Sequence, residues 1–166
     1  MSRITRITRA AAAMAISVSA LASGIGAGAA SADTAETFLP LSQALRRCDF
    51  SEMVYVGGTG YGRATAQVRA DGGDVVADIQ FATGRPNTRY EVRLIQAPRS
   101  SAVPCNAGDA GVAGSALFTD AAGAAGITLR GPIMSGATGA WVMITRPSAY
   151  SQIPAEFYTT DTIAAV

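Results

Sequence analysis

Between Cys48 and Val166 the chain alternates apolar and polar residues with a period of two, broken roughly every ten residues by Gly, Pro and Asp, which predicts antiparallel strands. Successive side chains on a strand point to opposite faces of its sheet, so such a run buries one face against a second layer or inside a closed wall. Helical periodicity is confined to the first residues of the chain. The clearest unit is a hairpin from Gly62 to Phe81. Ala64, Ala66 and Val68 alternate with Arg63, Thr65, Gln67 and Arg69, and Val75, Ala77, Ile79 and Phe81 alternate with Asp74, Val76, Asp78 and Gln80. A two-residue turn at Asp71-Gly72 would pair Val68 with Val75, Ala66 with Ala77, Arg69 with Asp74 and Thr65 with Asp78.

Further strands are expected over Thr88 to Gln96, Ser115 to Thr119, Ile127 to Arg130, Ala140 to Arg146 and Ala155 to Ala164, seven or eight in all. In the first of these Tyr90, Val92 and Leu94 face inward. In Ala140 to Arg146 both faces are apolar, which makes it a central strand with Trp141 in the core. Residues 33–47 form an N-terminal arm that either runs over the surface or makes one helical turn after Pro40. The domain proper spans residues 48–166.

Residues 1–32 carry the marks of an export signal. Arg3, Arg6 and Arg9 are a positive start, Ala10 to Leu21 an apolar core, and Ala30-Ser31-Ala32 a small-residue cleavage site before Asp33. An uncleaved anchor is the competing reading, but the half after Leu21 is only weakly apolar and no basic residue follows until Arg46. Secreted or envelope localisation follows, with the membrane met only during export. In that setting Cys48 and Cys105, the two cysteines of the chain, predict one disulfide that holds down the long Pro- and Gly-rich loop from Ala97 to Gly114.

Charge and composition exclude several classes. All 13 basic residues are arginines and three lie in the signal, so ten face the 12 acids and the mature chain carries a formal charge of −2. That is no match for a phosphate backbone, and nucleic acid is not an expected partner. Without His or Lys, the chain has no imidazole base, Schiff base or usual zinc site, and no catalytic residue, metal ligand or cofactor is assigned. Gly57-Gly58-Thr59-Gly60-Tyr61-Gly62 has neither the following helix nor the Lys of a phosphate-cradling loop, and reads as a flexible connection. Asp120-Ala121-Ala122-Gly123 reads as a turn, not a calcium loop.

Pro86-Asn87-Thr88-Arg89-Tyr90-Glu91-Val92 resembles the Pro-x-Thr-x-Tyr-x-Val signature at a corner of fibronectin type III and related immunoglobulin-like sandwiches. The resemblance implies an all-β, antiparallel immunoglobulin-like β-sandwich in which Tyr90 is a tyrosine corner, its hydroxyl bonded to upstream backbone. The chain as a whole, above all Thr88 to Pro98, Ser135 to Trp141 and Pro154 to Tyr158, resembles small secreted proteins of mycobacteria and related actinobacteria. That group implies export and a β fold and carries no catalytic residue across. A looser similarity to copper/zinc superoxide dismutase implies no such chemistry, because its histidine ligands are missing here.

Tyr61, in the Gly-rich connection, and Tyr150, between Arg146 and Pro154, are the candidates for an exposed binding surface, since aromatic rings give large contact area at low entropic cost. The expected activity is that of a non-catalytic extracellular or envelope interaction module for a protein, glycan or lipid. A small hydrolase using a carboxylate pair and a structural component of the envelope are the alternatives.

Overall fold

The computed structural model describes residues 35–166, so the predicted export signal, its cleavage site and Asp33 lie outside the described residues. Nine strands and no helix appear among the described residues: β1 Thr37–Ser42, β2 Arg63–Asp71, β3 Asp74–Ala82, β4 Arg89–Ala97, β5 Val112–Phe118, β6 Ala125–Pro132, β7 Gly139–Arg146, β8 Glu156–Thr160 and β9 Ala164–Ala165. Every pairing is antiparallel, and one hydrogen-bonded sheet runs in the order β5-β4-β7-β8-β1-β2-β3-β6, with β9 beside β7. The end strands β5 and β6 lie alongside each other, so the sheet curls into a nearly closed barrel.

Alternation accounts for the core. Val68, Ile79, Tyr90, Val92, Val142 and Ile144 all point inward and are buried together, while their neighbours on β2 and on much of β3 and β4 face solvent. The β2–β3 hairpin differs from expectation by one residue at the turn. Asp71 pairs with Asp74 and the turn is Gly72-Gly73, with φ of 60° and 92°. A two-residue hairpin turn of this kind needs positive φ at both central positions, and two glycines meet that demand without the Cβ penalty Asp71 would bring. Val68 therefore faces Ala77, Ala66 faces Ile79 and Thr65 faces Gln80. Moving the turn by one residue moves the pairing by two, so the inward set is unchanged. Arg69 faces Val76 and reaches Asp78 at 2.6 Å and Glu36 at 3.1 Å, whereas Asp74 is held by Arg130 at 3.0 Å.

The N-terminal arm is the second correction: within it Thr37–Ser42 is strand β1, neither a surface arm nor a helical turn. Leu39 is buried in the core and Phe38 is exposed, the alternation of a half-buried strand. β1 pairs with β2 from Thr37 to Leu41 but with β8 only at Leu41 and Ser42. Pro40, which has no N–H to give, thus stands where pairing with β8 has not yet begun.

β7 is buried on both faces. Val142 and Ile144 enter the main core, and Trp141 and Met143 form a second cluster on the outer face with Ile95, Val112 and Cys105. Two loops cover that cluster: residues 43–62 bring Cys48 and Phe50, and residues 98–111 bring Cys105. Cys48 and Cys105 are bonded, S–S 2.05 Å. Phe50 meets Trp141 edge-on at 5.3 Å, and the Arg46 guanidinium lies 4.2 Å over the Phe50 ring.

Candidate functional site

Strand directions bring four connections to one end of the barrel: residues 43–62 before β2, 83–88 between β3 and β4, 119–124 between β5 and β6, and 147–155 before β8. Beneath them sits Glu156, the first residue of β8, with its side chain 2 % exposed. A buried carboxylate is tolerated only when its oxygens are satisfied. Here Oε1 accepts from Nε of Arg85 and Nε of Arg146, both at 2.8 Å. Oε2 accepts from the hydroxyls of Tyr90 at 2.9 Å and Tyr158 at 3.1 Å. The pleat sets Glu156 and Tyr158, two residues apart, on the same face of β8.

Both hydroxyls are in turn anchored by backbone. Tyr90 Oη accepts from the Arg85 N–H and Tyr158 Oη from the Gly62 N–H, each at 3.1 Å. Phe81 meets both tyrosine rings edge-on, with centroids at 4.9 and 5.2 Å. The corner at residues 83–88 is closed by Thr119, whose hydroxyl donates to the Arg85 carbonyl and accepts from the Thr88 N–H. Gly60 has φ 110°, and a Cβ there would lie 2.5 Å from Tyr158 Oη and 2.8 Å from Glu156 Oε2. Only glycine lets the main chain lie so close over this network.

Electrostatics follow from these contacts. Burial works against ionisation of Glu156, but the hydrogen bonds from Tyr90 and Arg146, the charge of Arg146 and the bond from Arg85 outweigh it and hold the carboxyl below its usual value. Burial pushes the Tyr158 hydroxyl up to about 12 and raises that of Tyr90 as well, so both remain donors to the carboxylate.

Above the network opens a cleft of about 640 Å³ lined by Gly58, Thr59, Tyr61, Thr83, Arg85 and Glu156, among others. Tyr61 is 87 % exposed on this cleft. Tyr150 is fully in solvent on the 147–155 connection, and the Thr59 hydroxyl donates to the Ala155 carbonyl, tying the Gly-rich segment to the end of that connection. The sequence-derived candidates thus separate. Tyr61 and Tyr150 belong to the loop end, Tyr90 lies beneath it, and Cys48 and Cys105 clasp the outer face. Glu156, Arg85 and Arg146 were not singled out from sequence. The available signal was a glutamate in register with Tyr158 on a strand that carries no other charge. Glu156 is the one carboxylate lining the cleft, and both its oxygens already accept two bonds each.

Tyr90→Phe removes a donor from Glu156 and an acceptor from the Arg85 N–H with little change in volume. It is expected to cost about 1 to 3 kcal/mol in denaturant melts. Arg89→Ala and Glu91→Ala, flanking it on the outer face, should stay within about 0.5 kcal/mol. A Tyr90→Phe protein as stable as the parent would show that the hydroxyl is not structural.

No helix of the described residues is long and apolar enough to cross a membrane, and no group of three or more His, Cys, Asp or Glu among them is placed to hold a metal. Comparison of the chain with protein families, curated proteins and solved structures found no match, so the reading of this site rests on its own geometry.

Proposed function

We propose that the mature chain is an exported, non-catalytic interaction module that engages a protein, glycan or lipid outside the cell or in the envelope through the loop end carrying Tyr61 and Tyr150. The exposure of these two tyrosines on segments tied together by the Thr59–Ala155 bond carries the reading. Rings held on pinned loops bury large area on binding without first losing much freedom. The disulfide is compatible with an oxidising compartment. We further infer that the barrel is a distorted immunoglobulin-like sandwich. In support, the strand order divides at β1 into β5-β4-β7-β8 and β2-β3-β6, and residues of both halves meet in one core. In such sandwiches loops gather at the two ends and one end serves recognition.

The test is sedimentation of the labelled mature protein with envelope fragments of its own producing cells. The parent should co-sediment saturably, and Tyr61→Ser with Tyr150→Ser should weaken binding by at least about tenfold at an unchanged melting temperature. Equal binding by parent and double variant would overturn the assignment of this surface.

A further inference from the structure

We propose that the cleft beneath the Gly-rich segment binds the carboxylate of an acidic glycan, with Arg85 gripping the anion and Tyr61 stacking on the sugar. This rests on the interaction reading and names its ligand class. Two guanidiniums share one buried carboxylate, each through Nε at 2.8 Å, which leaves the site one net positive charge. Their Nη groups make no hydrogen bond among the described residues, and the Arg85 side chain is 67 % exposed on the cleft. Glu156 therefore holds the Arg85 fork by its edge and leaves its outer N–H groups for an incoming oxyanion. Guanidinium forks match planar carboxylates in bidentate fashion.

Charge decides between anions. One uncompensated positive charge is neutralised by a carboxylate, whereas a phosphate monoester brings about −1.5 to −2 at neutral pH. The remaining lining decides between carriers of that carboxylate. Gly58, Thr59, Gly60, Thr83 and Gly84 contribute small side chains or none, and Tyr61 and Pro86 contribute ring surfaces to the lining. The amides of Gly58, Thr59, Gly60 and Tyr61 donate to no group among the described residues, which suits a hydroxyl-rich ligand. Tyr61 adds an exposed ring on the same cleft, and aromatic rings stack readily on the C–H faces of sugars. The cleft volume is in the range of small-ligand sites.

Calorimetric titration of the mature protein with trigalacturonate is the test, run beside its methyl ester, inorganic phosphate and trialanine with a free carboxyl terminus. Trigalacturonate should bind, and the ester, phosphate and trialanine should each bind at least about tenfold more weakly. Arg85→Gln and Tyr61→Ser should each weaken trigalacturonate by about tenfold, with Arg63→Gln, an exposed arginine outside this cleft, unchanged. The ester arm needs no variant, so it decides even if Arg85→Gln fails to fold. Tighter binding of trialanine would make the site a peptide receptor, tighter binding of phosphate a phosphate site, and either overturns the proposal. So does equal binding of acid and ester, or no binding of trigalacturonate. If trigalacturonate fails while envelope sedimentation still depends on Tyr61 and Tyr150, this inference falls and the interaction reading stands. Loss of both removes both.

Discussion

Glu156→Ala is expected to destabilise the domain by about 3 to 5 kcal/mol, because removing a buried, fully bonded carboxylate strands the largely covered Arg146 and two buried hydroxyls. Arg146, with its side chain 23 % exposed, loses its counter-charge, and Tyr90 and Tyr158 each lose their acceptor. Domain stabilities run to about 5 to 15 kcal/mol, so the loss is a large share of the whole. Glu156→Gln separates charge from shape, and its effect depends on pH. The folded carboxyl titrates below its ordinary value, so as the pH falls the unfolded chain takes up the proton first. The stability this group contributes is complete above its unfolded value of about 4.3 and is lost as the pH drops through the lower folded value. Urea melts of parent and Glu156→Gln should therefore differ most above about pH 5 and converge in acid. A gap that stayed constant from neutral pH into acid would mean that ionised Glu156 is not what binds these elements together.

Opening the disulfide should have a comparable effect. A cross-link between residues 57 apart in sequence contributes about 4 kcal/mol on the chain-entropy argument. Cys48→Ser with Cys105→Ser should lower the stability of the domain by about that amount, and reduction of the parent should do the same. The consequence is larger than entropy alone suggests, because the clasped loops are the cover of the Trp141 and Met143 face of β7. Thermal melts with and without reductant, paired with non-reducing mass measurement, check it. Two thiols open to alkylation in the native, unreduced protein would refute the bond.

Legibility in the sequence followed range. The β2–β3 hairpin was readable because alternation and turn chemistry are local. The turn was misplaced by one residue because Asp71-Gly72 and Gly72-Gly73 both suit a tight turn, and two glycines suit it better. β1 was missed because its alternation is only six residues long, contains Pro40, and is stabilised by partners as distant as Thr160. At the site, Tyr90 stood out through the short motif from Pro86 to Val92. Glu156 did not, since its partners Arg85 and Tyr90 lie 71 and 66 residues away and no periodicity reports a contact of that range. The Trp141 face was half legible: alternation placed the ring on a doubly buried strand, but the loops that cover it follow from the cysteine bond.

Strand β1 does more than add one ladder. Lying between β8 and β2, it satisfies backbone groups on both at once, and the approach of β5 to β6 screens the far margins of the sheet. An unpaired strand margin is a template on which another copy can add, the first step toward ordered aggregates. Loss of residues 37–42 would therefore expose two such margins from one short excision. The proteolytic history of this segment, more than the melting point of the remaining barrel, would govern whether a population of these molecules stays dispersed.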